Sequence, residues 1–275
     1  MNIVWAALVI AGATAAAVTA MLLVRRRAPE GSHFADGDRA AGVFGVLATG
    51  FSVLLGFIVF LAFESYDQSR SGAEAEALVV AQQVETAQFM PEPAGDELTG
   101  ELVCYGRSVV FQEWPRAEAG ELEDDINPWG AELFRTLKTV EPQAPTEQSA
   151  YDKWLDQTSE REAARIDRIH GAVGVIPTPL WIVLLFISVV IFIFMLFFAD
   201  SSEGAITQAV LMGSVVSVIV AMLLLIRFLD SPFHTDVGGL RPVAMERTLR
   251  IMAEELRIAD RSIVLPCDAR GAAVS

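Results

Sequence analysis

The sequence predicts an all-α membrane protein: four transmembrane helices and a helical extramembrane domain, formed by the 64–178 segment and a C-terminal helix. Three observations predict it. Apolar residues make up 53% of the 275 and the mean hydropathy is +0.43, yet the formal charge is −15. That combination fits a chain in which lipid-facing and acidic, water-facing segments alternate. Runs at about 3–24, 41–63, 179–199 and 205–229 have the roughly 20 apolar residues that a helix needs to cross hydrocarbon. None of the four holds an Asp, Glu, Lys, Arg or His before Arg227.

The first run is read as a span rather than a signal peptide, because Arg25, Arg26 and Arg27 follow it, whereas a signal peptide wants its basic residues ahead. The loop RRRAPEGSHFADGDRA, with Pro29 and two glycines, reads as irregular structure. The second run continues without a break signal into YDQSRSGAEAEALVVAQQVETAQFM, and no proline occurs before Pro91. One helix from residue 41 to about Met90 would be about 75 Å long. Tyr66, Ala73, Val80 and Ala87 recur every seven residues, with Arg70, Ala77 and Val84 between them, as along a bundle seam.

A second domain helix fits DELTGELVCYGRSVVFQEW, with Leu98, Leu102, Tyr105 and Val109 on one face. A third opens at Asn127-Pro128, a cap followed by proline at the first helical position, and carries Trp129, Leu133, Leu137 and Val140. A fourth starts near Thr146 with Tyr151, Leu155, Thr158, Ile166 and Ile169 as its face, and Pro177 and Pro179 lead into the third span. ADSSEG is a helical-hairpin turn before the fourth span. After it, LDSPFHTDVGGLRP is a turn-rich connector. VAMERTLRIMAEELRIA then places Met245, Leu249, Met252 and Leu256 on one face of a helix expected to pack on the domain. The last dozen residues are expected to be loosely held. The domain boundaries are therefore 1–63, 64–178, 179–229 and 230–275.

The second span carries the pattern with functional content. At 100° per residue, Gly42, Gly45, Thr49, Ser52 and Gly56 fall within about a quarter turn. The stripe continues through Phe60 and Phe63 to Asp67, Arg70 and Glu74. In one reading the small residues only let membrane helices approach closely. In the other they line a pore on an oligomer axis, Phe60 and Phe63 form a hydrophobic constriction that gates by dewetting, and Asp67, Arg70 and Glu74 form a charged mouth. Gly213, Ser214, Ser217 and Ala221 on the fourth span read as a packing seam, and Arg227 and Asp230 at its end as a pair or as snorkelling charges.

Several chemistries lack their residues. No ionisable group sits mid-span to couple transport to protons or ions. His33, His170 and His234 are dispersed and suggest no metal site. There is no P-loop and no nucleophile elbow, so neither an enzyme nor a cofactor is expected. Glu123, Asp124 and Asp125 read as a solvated loop. The acidic balance argues against nucleic acid as a partner. Cys104 and Cys267 have no metal spacing. Four spans put them on one side of the membrane, which leaves a disulfide open, but unpaired cysteines are the expectation.

With these segments placed, the chain resembles a bacterial family of bestrophin-like integral membrane proteins. The resemblance is carried by FESYDQSRSGAEAEAL, CYGRSVVFQEWP, AARIDRIHGAVGVIPTPLW and LDSPF, and covers most of residues 33–250. Bestrophins are homopentameric anion channels whose second spans line the pore and continue into a cytosolic helical domain. The resemblance thus implies a homo-oligomer in a lipid bilayer, pentameric by analogy, with a small anion as its ligand and Phe60 and Phe63 at the neck. No acidic calcium clasp is recognisable, so calcium gating is not implied. The alternative function is a non-conducting scaffold or signalling protein whose helical domain binds a protein partner. The resemblance places the domain in the cytoplasm, within a bacterial inner membrane. Arg25, Arg26 and Arg27 point the other way under the positive-inside rule. Counting Arg161, Arg165, Arg168, Arg241 and Arg247 on the domain side restores the cytoplasmic expectation.

Overall fold

Helix α1 (Ile3–Arg25) begins where Asn2 caps it, its side-chain oxygen accepting the Val4 N–H at 2.9 Å. In order, α2 (Gly37–Ala87), α3 (Ala94–Ser108), a π-helical turn (Val109–Glu113), α4 (Trp114–Ala119), α5 (Pro128–Leu137) and α6 (Pro145–Ile169) follow. The chain continues with α7 (Thr178–Phe197), α8 (Ala205–Leu229) and α9 (Val243–Ile258). This computed structural model describes residues 2–28, 33–34, 36–121, 127–258 and 263–274. Among them there is no strand, only an isolated bridge between Cys267 and Ala273. Four helices, α1, α2, α7 and α8, are long and apolar enough to cross a membrane. The chain divides into two units, Met1–Glu64 with Val175–Asp230 and Ser65–Gly174 with Ser231–Ser275. Helix α2 contributes to both.

In the first unit, Phe51, Leu55 and Ile58 of α2 pack with Leu184 and Ile191 of α7 and Ile226 of α8. Helix α1 closes on α8, with Ala17 and Met21 against Met212. Gly213 sits at that approach: a Cβ there would stand 3.2 Å from Thr14 Cγ2 and 3.4 Å from Val18 Cγ2, as a packing seam requires. Arg25 donates to the carbonyls of Ser201 and Glu203, which ties the end of α1 to the α7–α8 turn. At the far end of α8, the buried Asp230 carboxylate accepts the N–H groups of Val175 (2.7 Å) and Ile176 (2.9 Å). Both residues precede Pro177, the N-cap of α7, so their N–H groups lie outside the helix and the carboxylate satisfies them.

The second unit buries the faces predicted for most of its helices. Leu98, Leu102, Tyr105 and Val109 are fully buried, as are Trp129, Leu133 and Leu137 behind the Asn127 cap. Val80, Val84 and Ala87 of α2 join them, with Met245 and Met252 of α9. Helix α6 departs from expectation. It buries Ala150, Trp154, Gln157, Arg161, Ala164, Arg165 and Arg168, and leaves Leu155 and Ile166 exposed. The sequence reading put Tyr151, Leu155, Thr158, Ile166 and Ile169 on the packed face, whereas here three arginines face inward because the Gln83 amide and the Glu76 and Glu113 carboxylates meet them.

Gly72 lets α2 and α6 touch. A Cβ at Gly72 would lie 2.7 Å from the Asp167 carbonyl carbon and closer still to the Arg168 backbone nitrogen. Gly72→Ala is expected to cost about 1–3 kcal/mol by overpacking. It should register as a lowered thermal midpoint of the purified protein. An unchanged midpoint would mean that the helices separate freely.

Two expectations give way at the tail. Cys104 and Cys267 are joined in a disulfide, because the segment after α9 returns to α3. Nor is the tail loosely held. Arg107 donates to the Asp268 carbonyl (2.9 Å), Gln112 to that of Arg270 (3.1 Å) and the Trp129 indole to that of Gly271 (2.7 Å). Gly271, with φ +81°, lies so close to the α3 backbone that a Cβ would collide with Ser108 N.

Candidate functional site

The stripe on α2 is the candidate. Phe51, Leu55, Ile58 and Ala62 are buried, and at 100° per residue they centre about 130° away from the line of small residues. Gly45, Thr49, Ser52 and Gly56 are all exposed in the single chain. A Cβ added at Gly42, Gly45, Gly50 or Gly56 would meet nothing within 4 Å, in contrast to Gly213. These four glycines in the membrane section of α2, unlike Gly72 further along it, therefore accommodate no neighbouring helix of their own chain. Ser52 donates its hydroxyl to the Ala48 carbonyl at 2.8 Å.

Phe60 and Phe63 continue the stripe, 60% and 53% exposed, as large apolar residues on the open side of the helix. In the second unit, Asp67, Arg70 and Glu74 are exposed, and Arg70 Nε pairs with Glu74 Oε1 at 3.3 Å, an i,i+4 contact. Exposed as it is, that pair contributes little to stability. Arg70 and Glu74 also line a groove of about 780 Å³ with Leu78 and Ile251, which are 58% and 47% exposed.

A second constellation escaped the sequence reading. The π-helical turn turns Glu113 inward, where its carboxylate meets Arg168 and, at 3.4 Å, Arg165. Arg168 also pairs with Glu76, which accepts the Tyr105 hydroxyl at 2.6 Å, and Arg161 donates to Gln83 at 3.0 Å. Glu76 and Arg168 have no exposed side-chain surface. Burial alone would raise the Glu113 carboxyl, but the charges of Arg168 and Arg165 outweigh it and hold the group below the usual range. Burial, reinforced by the Glu76 charge, pushes the Tyr105 hydroxyl well above its ordinary value, so it remains a donor. Burial pulls the Arg168 guanidinium down, and Glu76 and Glu113 more than offset it. The signal in the sequence was three arginines at spacings of four and three on one helix face.

A cavity of about 490 Å³ in the first unit is lined by Met21, Phe44, Met195, Phe198 and Met212, with Gln208 beside Asp200 and Glu203. Among the described residues no three His, Cys, Asp or Glu side chains gather as a metal-ligand set. Glu123, Asp124 and Asp125 lie outside the described residues.

Comparison with known proteins agrees with the architecture. The profile of the Bestrophin-like domain matches residues 4–238. A crystal structure of a point variant of a bacterial bestrophin homologue from Klebsiella pneumoniae superimposes with a TM-score of 0.67 at 14% identity, covering 89% of this chain and 99% of that one. Another structure of the Klebsiella pneumoniae homologue gives a TM-score of 0.62 at 14% identity over 95% of this chain and 100% of that one. No curated protein matches this chain in sequence. At such identity the solved structures speak for the fold alone. The helix order, the four apolar spans and the profile spanning residues 4–238 together show that the chain belongs to the bestrophin-like family of integral membrane proteins.

Proposed function

We propose that the chain assembles into a homo-oligomeric ion channel in a bacterial inner membrane, pentameric as the family resemblance implies, with α2 lining the pore. Gly45, Thr49, Ser52 and Gly56 line its membrane section, Phe60 and Phe63 form the hydrophobic constriction, and Asp67, Arg70 and Glu74 surround the mouth. The observation that carries this reading is the open space beside Gly42, Gly45 and Gly56 in the membrane section of α2. Small residues in a membrane helix are used for close packing or for making room. Here no helix of the same chain packs on them, so the stripe is left for water and for other copies around an axis. The apolar surface of Leu78 and Ile251 in the adjoining groove suits contact with a second copy.

The resemblance implies a small anion. The proposed mouth holds two carboxylates, Asp67 and Glu74, for one guanidinium, Arg70. Rings of carboxylates favour cations, so the chemistry of this chain leans away from the family analogy.

The purified protein in liposomes under a KCl gradient is expected to pass current that reverses toward the potassium equilibrium potential. Reversal toward the chloride potential restores the anion reading. An oligomer that passes no current moves the assignment to a non-conducting scaffold or signalling protein with a protein-binding helical domain.

A further inference from the structure

The chain has two cysteines, and both are consumed in one bond between α3 and the C-terminal tail. Cys104 has no exposed surface and Cys267 is 6% exposed. The bond lies inside a built seat: the tail carbonyls of Asp268, Arg270 and Gly271 accept side-chain donors from Arg107, Gln112 and Trp129, and Gly271 is pressed against the α3 backbone. Structural disulfides of this kind form and persist in oxidising compartments and are rare where glutathione and thioredoxin keep thiols reduced.

The arginine distribution gives an independent reading of which face that compartment adjoins. The cytoplasmic expectation rested on Arg161, Arg165, Arg168, Arg241 and Arg247, and the structure places the first three inside the fold. They pair with Gln83, Glu113 and Glu76 rather than lying on a juxtamembrane surface. They also belong to a segment longer than the roughly 60 residues over which the positive-inside rule counts. Near the span ends and outside the fold's interior, Arg25, Arg26, Arg27 and Arg39 cluster in the short stretch between the first two spans. The domain-side arginines are divided between the continuation of α2 (Arg70), the end of α8 (Arg227) and the start of α9 (Arg241 and Arg247), a helix built into the domain core through Met245 and Met252. One span separates the first group from the domain, so connectivity alone puts them on opposite faces of the membrane.

We infer that the helical domain lies outside the cytoplasm, in an oxidising compartment where Cys104 and Cys267 are joined, and that Arg25, Arg26 and Arg27 mark the cytoplasmic face. The joining step is a thiol–disulfide exchange. An extracytoplasmic protein disulfide accepts the two electrons and two protons of the Cys104 and Cys267 thiols and leaves as a dithiol. The inference does not depend on conduction: a scaffold with this orientation would carry the same bond.

The test uses the full chain in intact bacteria. Thiols are trapped by acid quenching and labelled in denaturant with a polymer-conjugated maleimide, and a second culture carries a C-terminal alkaline phosphatase, active only outside the cytoplasm. The expected result is no gel shift without reductant, a two-label shift after reduction, and active phosphatase. A two-label shift without reductant overturns the inference, as does inactive phosphatase on a stably inserted chain. A Cys104→Ser variant, carrying one label with or without reductant, establishes that the unshifted band reports the bond rather than burial.

Discussion

Replacing Arg168 by methionine is expected to destabilise the helical domain by about 3–5 kcal/mol, the usual cost of leaving buried charge without its partner. The guanidinium bridges Glu76 and Glu113, both buried, and its loss leaves Glu76 with only the Tyr105 hydroxyl among the contacts described above. Arg165 still reaches Glu113, which keeps the penalty from doubling. Denaturant unfolding of the purified protein measures the loss. Adding Glu76→Gln and Glu113→Gln should recover a good part of it, since an uncharged set is often as stable as an intact ionic one. If the single variant unfolds at the wild-type midpoint, the network is ornamental. The same network sets a pH window. Glu113 has a folded-state value below that of an unfolded carboxylate, about 4.3. Its contribution is therefore present above that value and is lost as pH falls through the depressed one.

The Phe60→Ala, Phe63→Ala double variant is expected to raise ion flux, with no rise in detergent-extractable monomer. In the proposed pore the two exposed rings narrow the path and exclude water, and ions cross only by paying for dehydration. Removing them lowers that barrier, and each 1.4 kcal/mol of lowering is worth about tenfold in rate. Liposome flux at matched protein density measures it. Wild-type flux from the double variant would remove the rings from the conduction path even if the protein conducts. Reduced flux with a broken oligomer would assign them to contact between copies.

Elements with local signatures were legible in the sequence. Asn127-Pro128 announced α5 because capping is chemistry between near neighbours, and Asn127 Oδ1 does accept the Trp129 N–H at 3.0 Å. The Leu98–Leu102–Tyr105–Val109 face was legible because apolar periodicity and burial coincide there. Helix α6 was misread for the opposite reason. Its buried face is held by Arg161, Arg165 and Arg168, and a hydrophobic pattern cannot represent a charge whose partner comes from helices 50 to 90 residues away. The disulfide was open but not chosen, since 163 residues of separation say nothing about distance in space. In the candidate site, the stripe of α2 was visible as a line of small residues. Which side of that helix its own chain covers depends on α7 and α8, and only the fold placed Phe51, Leu55 and Ile58 there.

The bond between Cys104 and Cys267 also changes what a cut in the chain means. It closes a covalent ring that contains α4 to α9, including the two membrane helices α7 and α8. A protease that severs any single peptide bond within that ring opens the circle without releasing a fragment. The nicked molecule migrates as one band until a reductant is added, and only then separates into two. Both membrane pairs stay tethered to one covalent body through a first cleavage, so a molecule scored as intact on a non-reducing gel can already have been cut.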